Sequence, residues 1–282
     1  MPKGSLISVL GLCVVVVLAC SSASASYNFI NLTSTGASGS SGDGWFLQMG
    51  GGSGTGVFQP FYRLQANVTE KGYNYSYADG FRKEFDNKEG SWNSLLNLGS
   101  IPVMEINGVD YAEFVLDINE NTGNGNQYLS LDRLEVWMSD KLLGIDTTAP
   151  IESYPYRTWV DCAKRVYRME EGDWIGLDYN LQTGSGTADM GFYLPAQLLL
   201  NAGAQFSGTK YVYLYSEFGG KGVEGSGQST RDWTSCDGFE EWALREGPTR
   251  TVTDLVPEPS MGVLLLLAML PVGVLWRRRR GA

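Results

Sequence analysis

Histidine is absent from this sequence of 282 residues. Its absence excludes the Ser-His-Asp and Cys-His pairs of nucleophilic catalysis, and it excludes zinc sites built on imidazole. Cysteine is almost as rare: the chain has four, and Cys13 and Cys20 lie near its N-terminal end. Only Cys162 and Cys236 remain, which are too few for an all-cysteine tetrahedral zinc site. The common histidine- and cysteine-dependent enzymes and zinc sites are therefore excluded.

Positive charge is also scarce, except at the C-terminal end. The chain has 21 Lys and Arg against 31 Asp and Glu, a net charge of −10. Without Lys3, Glu258 and the basic cluster (Arg277, Arg278, Arg279 and Arg280), 16 basic residues stand against 30 acidic ones, a net charge near −14. An acidic surface argues against nucleic acid as a partner, because phosphates require a basic one. It favours solubility and the uptake of divalent cations.

Long apolar runs are confined to the two ends of the sequence. At the N-terminal end, Lys3 precedes an apolar stretch at about residues 6–19, and Ala23-Ser24-Ala25 follows as an A-x-A type of cleavage site. A signal peptide is therefore predicted over residues 1–25. Two alternatives stay open. One is acylation of Cys20, because residues 17–20 are similar to a lipoprotein signal, and the other is an uncleaved N-terminal anchor.

Predicted export changes the expectation for the two remaining cysteines. Exported proteins meet an oxidising environment, in which cysteine pairs form and keep disulfides. A disulfide between Cys162 and Cys236 is therefore expected, with two buried free thiols as the alternative.

The C-terminal end has three parts in sequence. Pro257-Glu258-Pro259 precedes an apolar run from Met261 to Trp276, and the basic cluster at 277–280 follows. As a helix of about 16 residues the run would span roughly 24 Å, slightly less than most transmembrane helices. Basic residues beside a span stay on the cytoplasmic side. A single transmembrane helix (261–276) with an external body is therefore predicted, against the alternative of a buried core helix.

The three parts together resemble the PEP-CTERM sorting signal of exported bacterial proteins, over residues 256–282. The resemblance implies a Gram-negative type of bacterium that makes extracellular polysaccharide. It also implies an exosortase, a membrane protease-transpeptidase that would read Pro257, Glu258 and Pro259. The C-terminal helix would hold the protein at the inner membrane in transit, and the processed protein would reside at the cell surface or in the extracellular matrix.

The body of the protein resembles one recurring, uncharacterised type among these sorted proteins. The resemblance lies in residues 112–140, 210–219 and 237–246. No enzymatic activity is associated with that type, so the resemblance gives no reason to expect one.

The body (26–244), which a polar linker (245–255) follows, is rich in strand signals. Strands are predicted at 45–49, 57–68, 101–106, 111–118, 128–138, 173–181 and 210–218. Asn107-Gly108 predicts a hairpin, a phase slip near Asp132 predicts a bulge, and Pro60 predicts an edge strand. A short helix is predicted at 239–246. Many short strands with glycine-rich turns indicate an all-β fold, an antiparallel β-sandwich or jelly roll.

One loop has the side chains of a calcium site. Asp117, Asn119 and Asn121 stand at alternate positions before a glycine, and oxygen side chains at this spacing can bind calcium. An EF-hand loop would also need Gly and Glu where this chain has Thr122 and Tyr128. Asn and Gly also simply form hairpin loops. Calcium is therefore a hypothesis beside a plain loop, and no other cofactor is expected.

Two further features bear on polysaccharide as a partner. Trp92 has polar neighbours and is the best candidate for an exposed ring that stacks on a sugar, with ordinary packing as the alternative. Acidic clusters at 170–173 and 237–241 could pair carboxylates for glycoside hydrolysis, although solvated charge is the expected state. The sequence thus predicts a non-enzymatic exported structural or interaction protein. A carbohydrate-binding module and a carboxylate-dependent polysaccharide hydrolase are the alternatives.

Overall fold

The computed structural model describes residues 28–49, 60–75, 85–88, 92–123, 125–142, 163–184, 186–224, 231–236, 238–245 and 250–255. Strands make up 49% of the described residues and helices 12%, which confirms the all-β class. Within these ranges, no helix combines the length and the apolar character needed to cross a bilayer. The predicted signal peptide, transmembrane helix and basic cluster lie outside the described residues.

Sixteen strands lie in the described ranges. They are β1 (Phe29–Asn31), β2 (Ser38–Ser41), β3 (Gly44–Gln48), β4 (Pro60–Leu64), β5 (Asn67–Val68), β6 (Glu70–Tyr73), β7 (Leu96–Asn97), β8 (Val103–Ile106), β9 (Val109–Asp117), β10 (Tyr128–Ser139), β11 (Lys164–Arg168), β12 (Trp174–Asp178), β13 (Met190–Pro195), β14 (Tyr211–Phe218), β15 (Ser235–Cys236) and β16 (Glu240–Ala243). Two α-helices are described, α1 (Ala196–Gly203) and α2 (Gly220–Glu224), with 3-10 turns at Leu98–Ser100, Tyr179–Leu181 and Val252–Leu255.

The strands form two large sheets and one small one. The first sheet has the order β1-β12-β10-β14-β6, with β11 beside β10 and β7 beside β14. The second has the order β2-β3-β13-β9-β16-β4, with β8 beside β9, and the small sheet pairs β15 with β5. Only the β1–β12 pair is parallel among the described strands. The antiparallel pattern that the sequence predicts is therefore confirmed for nearly every pair.

A hydrophobic core joins the two large sheets. In β10, Leu129, Leu131, Leu134, Val136 and Met138 are all fully buried in it. The second sheet contributes stacked rings: Phe192 lies 5.2 Å from Phe46 and 5.7 Å from Phe114, centroid to centroid. The ring of Tyr167 in the first sheet lies 5.1 Å from that of Phe192. The two sheets therefore pack face to face, as alternating apolar residues require.

Several local predictions are confirmed by the backbone. Asn107 and Gly108 both have positive φ, 52° and 79°, as a two-residue hairpin turn between β8 and β9 requires. The register of β10 against β14 shifts between Leu131 and Arg133, which is the bulge expected near Asp132. Pro60 begins β4, which is the last strand in its sheet's order. Proline has no N–H to donate to a neighbouring strand. It is tolerated at the start of an edge strand because one side of that strand has no neighbour to accept a hydrogen bond.

The predicted helix at 239–246 is wrong, because this segment contains β16. Trp242 pairs with Leu116 of β9 on one side and with Tyr62 of β4 on the other, and its side chain is fully buried. Glu, Ala and Leu favour a helix in isolation, but pairing on both edges and burial of the indole outweigh that weak preference.

Two other segments differ from the sequence prediction. The strand expected at 173–181 ends at Asp178, whose side chain accepts a hydrogen bond from the Asn180 N–H and begins a 3-10 turn. In the predicted linker, residues 250–255 are part of the folded body. Val252 is fully buried there, and Thr251 pairs with Pro102.

Candidate functional site

The calcium candidates lie at one end of the second sheet. Strand β9 ends at Asp117, and its antiparallel neighbours begin at the same level: Met190 of β13 pairs with Leu116, and Glu241 of β16 pairs with Asp117. The segments that enter β13 and β16 therefore meet the segment that leaves β9. This brings together side chains that are far apart in the sequence.

Asp117 is paired with a second carboxyl group, that of Asp189. Gly186 N donates to Asp117 Oδ2 at 2.7 Å, and Ile118 N donates to Asp189 Oδ2 at 2.8 Å. The remaining oxygens, Asp117 Oδ1 and Asp189 Oδ1, are buried and accept no hydrogen bond from the described residues. Burial raises the pKa of Asp117 to about 6. Burial, and then the charge of Asp117, raise the pKa of Asp189 well above its ordinary value. The pair is therefore suited to share a proton.

Asn119 and Asn121 act mainly as links between loops. Asn119 Nδ2 donates to the carbonyl of Phe239 at 3.2 Å, and Asn121 Nδ2 donates to the carbonyl of Cys236 at 2.9 Å. Gly238 lies so close to Asn119 that a Cβ at residue 238 would meet the Asn119 carbonyl oxygen. These contacts hold the segment after β9 against the segment before β16.

Calcium takes six to eight oxygen ligands. The hydrogen bonds above engage the amide N–H groups of Asn119 and Asn121 and do not involve their amide oxygens. Across the described ranges, no group of three or more His, Cys, Asp or Glu side chains is arranged to hold a metal ion. The calcium hypothesis for Asp117, Asn119 and Asn121 therefore stays a prediction. Sequence reasoning missed Asp189, because it follows Asp117 by 72 positions and carries no local signal.

Trp92 lies at the surface, with 40% of the residue exposed. The guanidinium of Arg63 lies 3.7 Å from the centroid of the Trp92 ring and 4.9 Å from that of Phe239. Lys88 lies 5.2 Å from the Phe239 ring, and Arg63 also forms an ion pair with the buried Glu241. Such cation–π contacts hold the indole in one orientation. Sugar stacking by Trp92 stays a prediction, but the ring is exposed as expected.

The acidic clusters are solvated only in part. Glu170 and Glu171 are exposed, as the sequence predicts, but Asp173, Glu240 and Glu241 are buried. Asp173 accepts hydrogen bonds from the backbone N–H of Asn28 at 3.0 Å and from Ser41 Oγ at 2.8 Å. Its carboxylate thus ties the first strand of the described body to β12, which is a structural role.

The remaining predicted residues fall largely outside the described ranges. Cys162 and the sorting residues Pro257, Glu258 and Pro259 are among them, as are Arg277, Arg278, Arg279 and Arg280. Cys236 is partly buried and has no disulfide partner within the described part of the chain. The disulfide therefore stays a prediction.

An apolar groove of about 510 Å³ lies away from these candidates, beside α1. Leu98, Leu200, Phe206, Lys210 and Thr253 are among the residues that line it. None of the predicted site residues contributes to this groove.

Comparison with known proteins adds no assignment: no family model, curated protein or solved structure matches this chain.

Proposed function

We propose that this chain is an exported cell-surface or extracellular-matrix protein, sorted by an exosortase, whose jelly-roll-like body has a non-enzymatic structural or interaction role. The observation that carries the proposal is the C-terminal sequence. It places Pro257-Glu258-Pro259, an apolar run of transmembrane character and four arginines in that order. A predicted signal peptide at the other end gives a route to the same compartment.

The fold of the last described residues bears on how such a tail would be processed. Arg250 forms an ion pair with Asp110, and the turn Val252–Leu255 follows with Val252 in the core. Only Val256 separates this turn from Pro257. A processing enzyme that reads the motif would therefore work next to the folded body, which must lie close to the membrane during cleavage.

The tail gives the first test. We expect Glu258→Ala to lower processing about tenfold or more, because loss of one charge-assisted contact worth about 1.4 kcal/mol or more has this effect on recognition. The variant should accumulate in the inner-membrane fraction, as measured by fractionation and immunoblotting. Glu171→Gln, whose side chain is 89% exposed, serves as the matched control and should be sorted normally. Normal sorting of Glu258→Ala would contradict the proposal.

A second candidate function, binding of matrix polysaccharide, is favoured by the exposed and oriented ring of Trp92. We expect Trp92→Ala to weaken retention on a bound polysaccharide about tenfold, the effect of losing a stacking contact of roughly 1.4 kcal/mol. The measurement is affinity electrophoresis across a panel of bacterial polysaccharides. Val109→Ala removes another exposed apolar side chain and should leave retention unchanged. Equal retention of the parent and Trp92→Ala on every polysaccharide would exclude this site.

A further inference from the structure

The apolar groove beside α1 has a lining that reaches into the core. Leu98 and Gly203 are buried, and Leu200 and Phe206 are half-buried and pack against the core. A Cβ on Gly203 would lie only 3.2 Å from Leu98 Cδ2, tighter than an ordinary contact, so the glycine lets the turn at Leu98–Ser100 approach the helix closely. The glycine thus helps to shape this cavity, which we call the α1 groove.

The α1 groove has the size of a small-molecule site. Its volume of about 510 Å³ falls within the roughly 300–1,000 Å³ of ligand pockets, whose lining is also mostly apolar. The 3-10 turns at Leu98–Ser100 and Val252–Leu255 contribute to it, as do α1 and the segment that leads to β14. An apolar ligand would remove exposed apolar surface from water here, which is favourable.

One cationic side chain, that of Lys210, lines the α1 groove. A Cβ on Gly203 would lie 3.0 Å from Lys210 Cδ and 3.4 Å from its Cε, so the aliphatic stem of the lysine packs along the end of α1. Within the described ranges, no carboxylate oxygen lies within 4 Å of its ammonium nitrogen. Asp140, which lies beside the groove residue Gly208, is also beyond this distance.

Lys210 is not needed to complete the helix either. A basic side chain near the end of a helix often binds its last carbonyl groups. Here the carbonyls of Leu200, Ala202 and Gly203 accept the backbone N–H groups of the three residues that follow α1, 204–206. The ammonium group of Lys210 thus stands beside an apolar cavity and has no ion-pair partner among the described residues.

We propose that the α1 groove binds an acyl chain that ends in a carboxylate. The chain would lie against Leu98, Leu200 and Phe206, and the carboxylate would bind the ammonium group of Lys210. Thr209 also lines the groove and carries a hydroxyl that can donate to the same carboxylate. This binding does not depend on how the C-terminal end is processed, so either proposal can fail without the other.

A second copy of the chain is a less suitable occupant. The body has 16 basic residues against 30 acidic ones, so two copies repel each other. A two-fold symmetric contact would also bring two Lys210 side chains together without an anion between them. A carboxylate with an apolar chain instead complements both the charge and the apolar lining.

The test is photo-crosslinking of the full chain in phosphatidylcholine nanodiscs, which accommodate its C-terminal apolar run. The probe is decanoate with a photoreactive diazirine near its methyl end, and mass spectrometry locates the label. We expect the label on α1 or on residues 204–209, and we expect unlabelled decanoate to compete for it. Decanol has the same chain without the charge and should compete about tenfold less well, because it forms no charge-assisted contact with Lys210.

Lys210→Met keeps the apolar stem and removes the charge. In this variant decanoate should lose its advantage, so decanoate and decanol should compete equally. Lys71→Met removes an exposed lysine that does not line the groove, and it should keep the preference for decanoate. Partition of the competitors into the bilayer is the same for every variant, so the ratio between variants is the quantity that decides.

Ala204→Trp tests the groove itself. Ala204 is exposed and lines the groove, so the variant should fold, and the added indole should reduce labelling about tenfold by occupying the space of the chain. Gln205→Trp places the same side chain at the next position, which is exposed and outside the lining, and should leave labelling unchanged.

Three results would overturn the proposal. Labelling confined to other parts of the chain would exclude the groove as the site. An unchanged preference for decanoate in Lys210→Met would exclude the lysine as its partner. A parent chain that takes no label but forms a dimer, which Ala204→Trp dissociates, would show that a second copy occupies the groove.

Discussion

The Trp242→Ala variant is expected to have a free energy of unfolding about 3–5 kcal/mol lower than that of the parent chain. Trp242 is fully buried in β16, between β9 and β4, and its Nε1 donates to Ser216 Oγ at 3.2 Å. Alanine would leave a cavity in the core between the two large sheets and would remove a hydrogen bond that joins them. Urea unfolding followed by circular dichroism measures the change.

Trp92→Ala is the matched control for this prediction, because it removes the same side chain from an exposed site. Its effect should stay within about 1 kcal/mol, since the ring gains little from burial. Equal destabilisation by the two variants would contradict the position of β16 as an inner strand.

The Gly238→Ala variant is expected to lower the free energy of unfolding by more than about 3 kcal/mol. A Cβ at this position would overlap the carbonyl oxygen of Asn119, which is backbone and cannot rotate away. The segment before β16 would have to move, and the hydrogen bonds from Asn119 to Phe239 and from Asn121 to Cys236 would be lost with it. The same urea titration measures the loss.

Gly123→Ala tests whether this effect is specific to the close approach. Gly123 lies in the segment that follows Asn121, and a methyl group added to its Cα would meet no other atom within 4 Å. Its φ is not positive, so alanine fits the backbone there. The substitution should change stability by less than about 0.5 kcal/mol. A Gly238→Ala variant as stable as Gly123→Ala would show that the two segments do not pack as described.

Local pattern was sufficient to predict most of the sheet structure. The Asn107-Gly108 turn, the bulge near Asp132 and the strand at 210–218 all depend on neighbours in the sequence, and each is present. The error at 239–246 has a different origin. Helix propensity is local, whereas the burial of Trp242 between β9 and β4 is decided by contacts with residues more than 100 positions away.

The candidate sites were harder to predict for the same reason. The spacing of Asp117, Asn119 and Asn121 drew attention to one loop, but the neighbour of Asp117 across that loop, Asp189, is identified only by the fold. Charge runs such as 240–241 normally indicate a solvated surface. Here both faces of β16 are buried and the strand pairs with β4 and β9, which composition alone does not indicate.

Export followed by cleavage at the C-terminal motif would change both ends of the protein. Mass spectrometry of the two termini of the mature protein, isolated from cells, detects both changes. The proposal predicts an N-terminus at Ser26 and a C-terminus at or next to Pro257-Glu258-Pro259, without the apolar run and the arginines. A mature surface protein that still carries Arg277 to Arg280 would contradict it.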